Sequence, residues 1–280
     1  MPRSELLAGL SRDRMALFGA VTVALILLIA LFAPLIAPYD PAQISIPHRL
    51  EAPGARHWLG TDQLGRDTLS RLLVGTRVAM SVATLSIGGA MAAGIVLGLI
   101  AGYGPKPVDL ALLLLLDTIS TVPVIIFALA LLTLTGPSLS AVIGVIGFFS
   151  VPGYARLVRA ETLRLKSADF ILAERVMGAR LPRLLFLHMM PNVIGPLLVV
   201  VTMDVPSVIG LEAGLSFLGI GIQPPTPSWG TLLNDGFSFV RQAPLLVLVA
   251  GIPVILATLG FTFFGEFLRE HWNPASRGGR

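Results

Sequence analysis

Two carboxylates, Asp117 and Asp204, stand inside runs that are otherwise apolar. An ionised side chain in hydrocarbon is costly unless it faces water or a partner on a neighbouring helix. Three kinds of chemistry suit such a group. It attracts the cationic end of a solute on a translocation path, it bonds an adjacent helix, or it joins a second carboxylate in an intramembrane catalytic pair. No further motif accompanies the two aspartates to favour catalysis. The four histidines, His48, His57, His188 and His271, are scattered without metal-ligand spacing. Cysteine is absent, which removes disulfides, thiolate nucleophiles and thiolate metal sites together. No G-x-x-x-x-G-K-[ST] loop occurs, because the single Lys-Ser pair, Lys166-Ser167, follows Leu165 rather than glycine. The chain is expected to bind no metal, nucleotide or other cofactor, so an energy source for any pumping belongs to another polypeptide.

The elements that must position these groups are membrane helices. Of 280 residues, 54% are hydrophobic and 13% charged, against about 25% charged in a soluble domain. A bilayer core of about 30 Å is crossed by about 20 apolar helical residues. Six spans can be read: Met15–Ala37, Val78–Gly102, Leu110–Thr135 (interrupted by Asp117), Ser138–Ala155, Val193–Leu218 (with Asp204 and Glu212) and Ala243–Gly265. Glu212 lies nearer the outer end of its span and reads as structural. In the second span Gly94, Gly98 and Gly102 form a small-residue stripe for close helix contact. The first span has a basic flank, Arg3, Arg12 and Arg14. Its apolar run is longer than the roughly 7–15 residues of a signal peptide's core, so a retained helix is expected. The fold class is an all-α, multi-pass membrane protein surrounded by lipid.

Charge then orients the spans. With both termini in the cytoplasm, fourteen basic residues lie inside and six outside, which satisfies the positive-inside rule. The pI near 10.1 therefore has a topological cause, and no nucleic-acid partner is expected. Between Arg156 and Pro191 lies a polar insert carrying ten of the 36 charges. In it, Ala168–Met177 reads as a helix, with Asp169 near the dipole's positive end and Gly178 as its stop. A second helical stretch follows at Leu181–Met190. A surface helix of this kind docks into a groove of a cytoplasmic partner or floats its apolar side on lipid.

At these residues the chain resembles the membrane permeases of ATP-binding-cassette importers. Their cytoplasmic loop reads E-A-A-x-x-x-G, nine residues, then I-x-L-P. Gly178 and Pro191 stand thirteen apart as the pattern requires, with Ala173 at the first Ala, His188 at the Ile and Met190 at the Leu. Leu172 occupies the acidic position, and Glu174 stands at the second Ala. The resemblance assigns ATPase coupling to Asp169, Phe170, Ala173, Glu174, Met177, Gly178 and Pro191. If Glu174 is only a solvated charge, coupling rests on an apolar face of Phe170, Ile171 and Met177.

Outer segments narrow the resemblance to the C-type subunit of dipeptide, oligopeptide, nickel and glutathione permeases. HWLGTDQLGRD (His57–Asp67), EAGLSFLGIGIQPPTPSWG (Glu212–Gly230) and the tail FGEFLREHWNPASR are similar to that group's motifs. Trp58, Gly60, Asp62, Gly65, Arg66, Asp67, Gln223 and Trp229 are expected to form the outer loop that meets a binding protein or caps the pore. A loop made rigid for stability explains its prolines equally well. The resemblance implies a type I importer domain in a bacterial inner membrane, with six transmembrane helices. It pairs with a homologous B-type permease, two ATPases that carry the ATP and Mg²⁺, and an extracytoplasmic binding protein. Expected boundaries are 1–77 (first span and outer loop), 78–270 (core, with the coupling loop at about 156–191) and 271–280 (cytoplasmic tail). Di- or oligopeptides are the implied cargo, with nickel, glutathione, opines or another small solute as alternatives. A secondary transporter fits less well, lacking paired broken helices in an inverted repeat, as does an intramembrane enzyme.

Overall fold

Asp13 starts the first helix, α1 (Arg14–Ile36). Its Oδ1 accepts the Met15 and Ala16 N–H groups at 2.8 and 3.2 Å, which a helix start otherwise leaves free. Our computed structural model describes residues 9–10 and 12–272. Arg3, Arg277 and Arg280, counted above among the inside charges, and 273–280 of the expected tail lie outside the described residues. After α1 comes a loop with one 3-10 turn at Ile46–His48. Helix α2 (Thr68–Tyr103) runs for 36 residues, its start capped by Asp67, whose Oδ2 accepts the Ser70 N–H at 2.8 Å.

The expected span at Leu110–Thr135 is not one straight helix. It divides into α3 (Lys106–Thr121) and α4 (Val124–Thr135), bent by 81°. Pro123 is the physical reason, because its ring disfavours helical geometry in the residue before it, and Val122 is extended at ψ 124°. Among the described residues five helices are long and apolar enough to cross a membrane, or six if this bent pair is one span.

Two further boundaries move. The span expected to stop at Ala155 continues as α5 (Leu139–Lys166), since Arg, Leu, Ala and Glu are good helix formers. The first part of the polar insert is thus the end of a long helix. After the short α6 (Asp169–Val176), the stretch Leu181–Met190 and the span behind it fuse into one 37-residue helix, α7 (Leu181–Phe217). It widens into a π-turn at Leu184–Met189, just ahead of Pro191. Proline has no N–H to give and crowds the carbonyl four residues back, and a wider turn relieves both. The Asn192 side-chain amide donates to the His188 carbonyl at 2.6 Å. Helix α8 (Trp229–Ser238) opens on a Ser228–Thr231 capping box, and α9 (Leu245–Trp272) completes the described fold.

Packing centres on α2 against α5. A Cβ added to Gly94, Gly98 or Gly102 would come within 2.6 Å of Tyr154, of Ala155 and Val158, or of Thr162. The predicted stripe therefore sets the closest approach between these helices. Buried residues of α1 recur at Ala16, Gly19, Val23, Ile26, Ala30 and Ala33, the spacing of one helical face, and that face meets α9. The outward faces are apolar too: Leu31, Leu35, Leu114 and Leu134 are exposed, as suits helices surrounded by hydrocarbon.

Candidate functional site

Three polar regions interrupt the apolar bundle. The first is the turn after α6. Gly178 adopts φ +80°, a left-handed conformation that costs other residues energy. Here the Ala179 N–H reaches the Glu174 carbonyl at 2.9 Å and the Gly178 N–H reaches that of Arg175 at 3.0 Å, a Schellman closure. Asp169 opens the helix and is exposed, as is Ala173. Pro191 is exposed beyond the π-turn. Glu174 has an intrachain neighbour, with Oε1 3.6 Å from His188 Nε2, so the shifted carboxylate faces the residue at the motif's Ile position.

The expected apolar face of Phe170, Ile171 and Met177 is split. Ile171 is fully buried against the bundle, whereas Val176 is 89% and Met177 73% exposed. Phe170 and Leu172 are also exposed. The outward face therefore comprises Phe170, Leu172, Val176 and Met177. The i, i+4 pair Leu172/Val176 was the signal for it in the sequence. Beside that face, Glu174, Met177, Gly178, Ala179, Arg180 and Arg183 line an open hollow of about 470 Å³.

The second region is a seam between α3, α5 and α7. Arg156, placed by sequence in the polar insert, instead turns back to α3: its Nη1 donates to Asp117 Oδ1 at 2.6 Å and its Nη2 to Ser120 Oγ at 2.6 Å. One turn on, Arg159 donates to both Asp109 oxygens, Nε to Oδ1 at 2.5 Å and Nη2 to Oδ2 at 2.7 Å. Lys166 Nζ donates to the Tyr103 carbonyl at 3.2 Å. Three basic groups expected on a docking surface thus tie α5 to its neighbours. Asp204 lines a cavity of about 340 Å³ together with Arg156, Ser120, Ser150 and Ser207. Glu212 is fully buried and accepts the Ser216 hydroxyl at 2.8 Å.

The third region is the loop before α2. Asp62, Arg66 and Arg71 are buried. Arg66 Nε donates to Asp62 Oδ2 at 2.7 Å, and Arg71 Nη1 lies 3.2 Å from the same oxygen. Both arginines then reach Asp235 on α8, Arg71 at 3.1 Å and Arg66 at 3.4 Å. Burial pushes the Asp235 carboxyl above its ordinary range, while Arg71 and Arg66 pull it down. Asp67 holds His57 Nδ1 at 2.8 Å. Gly65 has φ +74°, and a Cβ there would run into the Ser45 carbonyl; Gly60 turns the same way.

These positions correct the expected outer face. Asp62, Arg66, Asp67 and Trp229 are buried within the chain, as are Gly60 and Gly65. Their bonds and packing need those positions inside, where they fasten the loop. Gln223 folds back, its Nε2 donating to the Gly219 carbonyl at 2.7 Å. Trp58, at 70% exposure, does stand on the surface. Asp235 and Arg71 were missed in the sequence because partners 164 residues apart leave no local spacing to read.

Residues 94–277 match the family described as binding-protein-dependent transport system inner membrane component. Residues 3–53 match the N-terminal TM domain of oligopeptide transport permease C. The chain is 36% identical over 273 residues to the dipeptide transport system permease protein DppC of Alkalihalophilus pseudofirmus, covering 98% of this chain and 90% of that protein. It is 36% identical over 279 residues to the di/tripeptide transport system permease protein DppC of Pseudomonas aeruginosa, covering 98% and 92%. The glutathione transport system permease protein GsiD of Pectobacterium atrosepticum is similar at 36% over 264 residues, covering 94% and 88%. A helical, multi-pass bundle with these matches over nearly its full length belongs to the inner-membrane permease components of binding-protein-dependent transport systems.

Proposed function

We propose that this permease imports di- and tripeptides, forming half of a pore whose other half is a homologous B-type permease. Two separate ATPases bind and hydrolyse ATP with Mg²⁺, and this chain holds no nucleotide. Both termini lie in the cytoplasm. A binding protein delivers cargo to the outer side, where Trp58 is an exposed aromatic. The reading of peptide cargo is supported by the names of the similar proteins.

The observation that carries the coupling role is the unpartnered face of α6. Val176 and Met177 stand 89% and 73% exposed, next to the hollow edged by Glu174 and Gly178. Bare apolar side chains on a short polar-flanked helix mark an interaction site. Seated in an ATPase cleft, α6 would pass motion to both α5 and α7, the long helices it joins. ATP-driven closure of the ATPases then rocks these helices between outward- and inward-open arrangements.

The test is reconstitution. Proteoliposomes holding this chain, its B-type partner and the two ATPases should take up radiolabelled dipeptide only with internal ATP and external binding protein. Uptake that persists without ATPases would refute the importer reading. Nickel uptake without peptide uptake would replace the cargo.

A further inference from the structure

Resting on that importer reading, we infer that the cavity between α3, α5 and α7 recognises both charged ends of a zwitterionic solute, with Arg156 taking the carboxylate and Asp204 the ammonium. The two groups line one space of about 340 Å³, within the range of small-ligand sites. They project from different helices, α5 and α7. Between them the walls alternate in character: Ser120, Ser150 and Ser207 offer hydroxyls, and Phe149 and Val208 offer apolar surface. Gly153 opens the wall further, since a Cβ there would meet nothing within 4 Å.

Arg156 is already posed to hold an anion. Its Nη1 and Nη2 are spread between Asp117 Oδ1 and Ser120 Oγ, both at 2.6 Å. The Arg156 and Asp117 side chains are 41% and 61% exposed, so the pair is not sealed within the chain. A guanidinium in this setting readily trades one carboxylate for another that fits its two-pronged geometry. Asp117 is then the resting counter-ion of Arg156 rather than a cation site in its own right. Asp204 has no basic partner among the described ion pairs; its neighbour is the Tyr154 hydroxyl on α5, and a carboxylate facing one phenol keeps further acceptor positions for a ligand ammonium. A charged pair so divided discriminates against solutes lacking either end.

The experiment crosses the protein's charge with the ligand's. In proteoliposomes of the complete importer, uptake of alanyl-alanine, its C-terminal amide and its N-acetyl form is measured at saturating loaded binding protein. Charge-assisted bonds to a carboxylate make Arg156→Gln slow alanyl-alanine by about tenfold or more, with less than about twofold effect on the amide. Asp204→Asn gives the same contrast between alanyl-alanine and the N-acetyl form. The double variant Arg156→Gln/Asp117→Asn, which strands no carboxylate, keeps the Arg156→Gln pattern. Equal fold-loss on free and blocked peptides, no loss on either, or recovery of alanyl-alanine uptake in the double variant overturns the assignment. Failure of the wild-type importer to move any peptide refutes the cargo reading instead, whatever the variants do.

Discussion

Gly178 offers the sharpest test of how α6 ends. Its φ of +80° costs a residue with a Cβ about 1–2 kcal/mol, yet a Cβ at this position would meet nothing within 4 Å. The penalty is therefore purely one of backbone conformation. Gly178→Ala should destabilise the Schellman turn by that amount, a shift of about 5- to 30-fold in the ratio of closed to open turn. Asparagine tolerates the left-handed region, so Gly178→Asn should keep most of the function despite its larger side chain. Gly178→Pro should lose it entirely, since proline fixes φ near −65° and removes the N–H that reaches Arg175. The assay is peptide-stimulated ATP hydrolysis of the reconstituted importer, with membrane insertion measured alongside. An order of Gly, Asn, Ala, Pro supports the turn. Loss that follows side-chain volume, with Asn worse than Ala, would show that the glycine makes room for a partner and would refute the conformational argument.

Other outcomes follow from burial and packing. Asp235→Ala should destabilise the purified permease by about 2–3 kcal/mol, less than the roughly 3–5 of a fully severed buried pair, because Asp62 still holds Arg71; thermal unfolding in detergent reads this. Gly98→Ala, whose Cβ would lie 2.6 Å from Val158 and the Ala155 carbonyl, should cost about 1–3 kcal/mol, whereas Gly88→Ala and Gly89→Ala, with nothing within 4 Å, should be silent in the same assay. Val176→Asp should leave the permease's thermal midpoint unchanged, since the position is 89% exposed, yet abolish co-purification of the ATPases. Ile171→Ala should do the reverse in stability, losing about 2–5 kcal/mol for a buried aliphatic truncation.

The apolar runs and the prolines made the membrane class and most helix positions legible in the sequence. Hydropathy could not show that α5 runs on to Lys166, because a polar helix end and a polar loop have the same mean. Nor could it place the 81° bend at Pro123, since other prolines (Pro34, Pro152, Pro206, Pro253) sit within helices that continue. The turn at Gly178 was readable from one glycine behind a short helical run. The inward direction of Ile171 was not, because an eight-residue helix gives too few turns to define a face by period alone. Arg156 and Arg159 were misplaced for a simpler reason. A charge reads as solvated until the acid opposite is known, and Asp117 and Asp109 lie 39 and 50 residues away.

The clasp of Asp62, Arg66 and Arg71 on Asp235 also governs how this chain can be cut and recombined. Family matches cover residues 3–53 and 94–277 and leave the interval between them unassigned. Three of the clasp's four members lie in that interval, and the fourth lies far downstream on α8. A chimera joined near residue 94 would take Asp235 from one parent and Asp62, Arg66 and Arg71 from the other, whereas a junction near residue 53 keeps all four together. Grafts of the outer loop should therefore fold when the recipient supplies an acid at position 235, and lose stability when it does not.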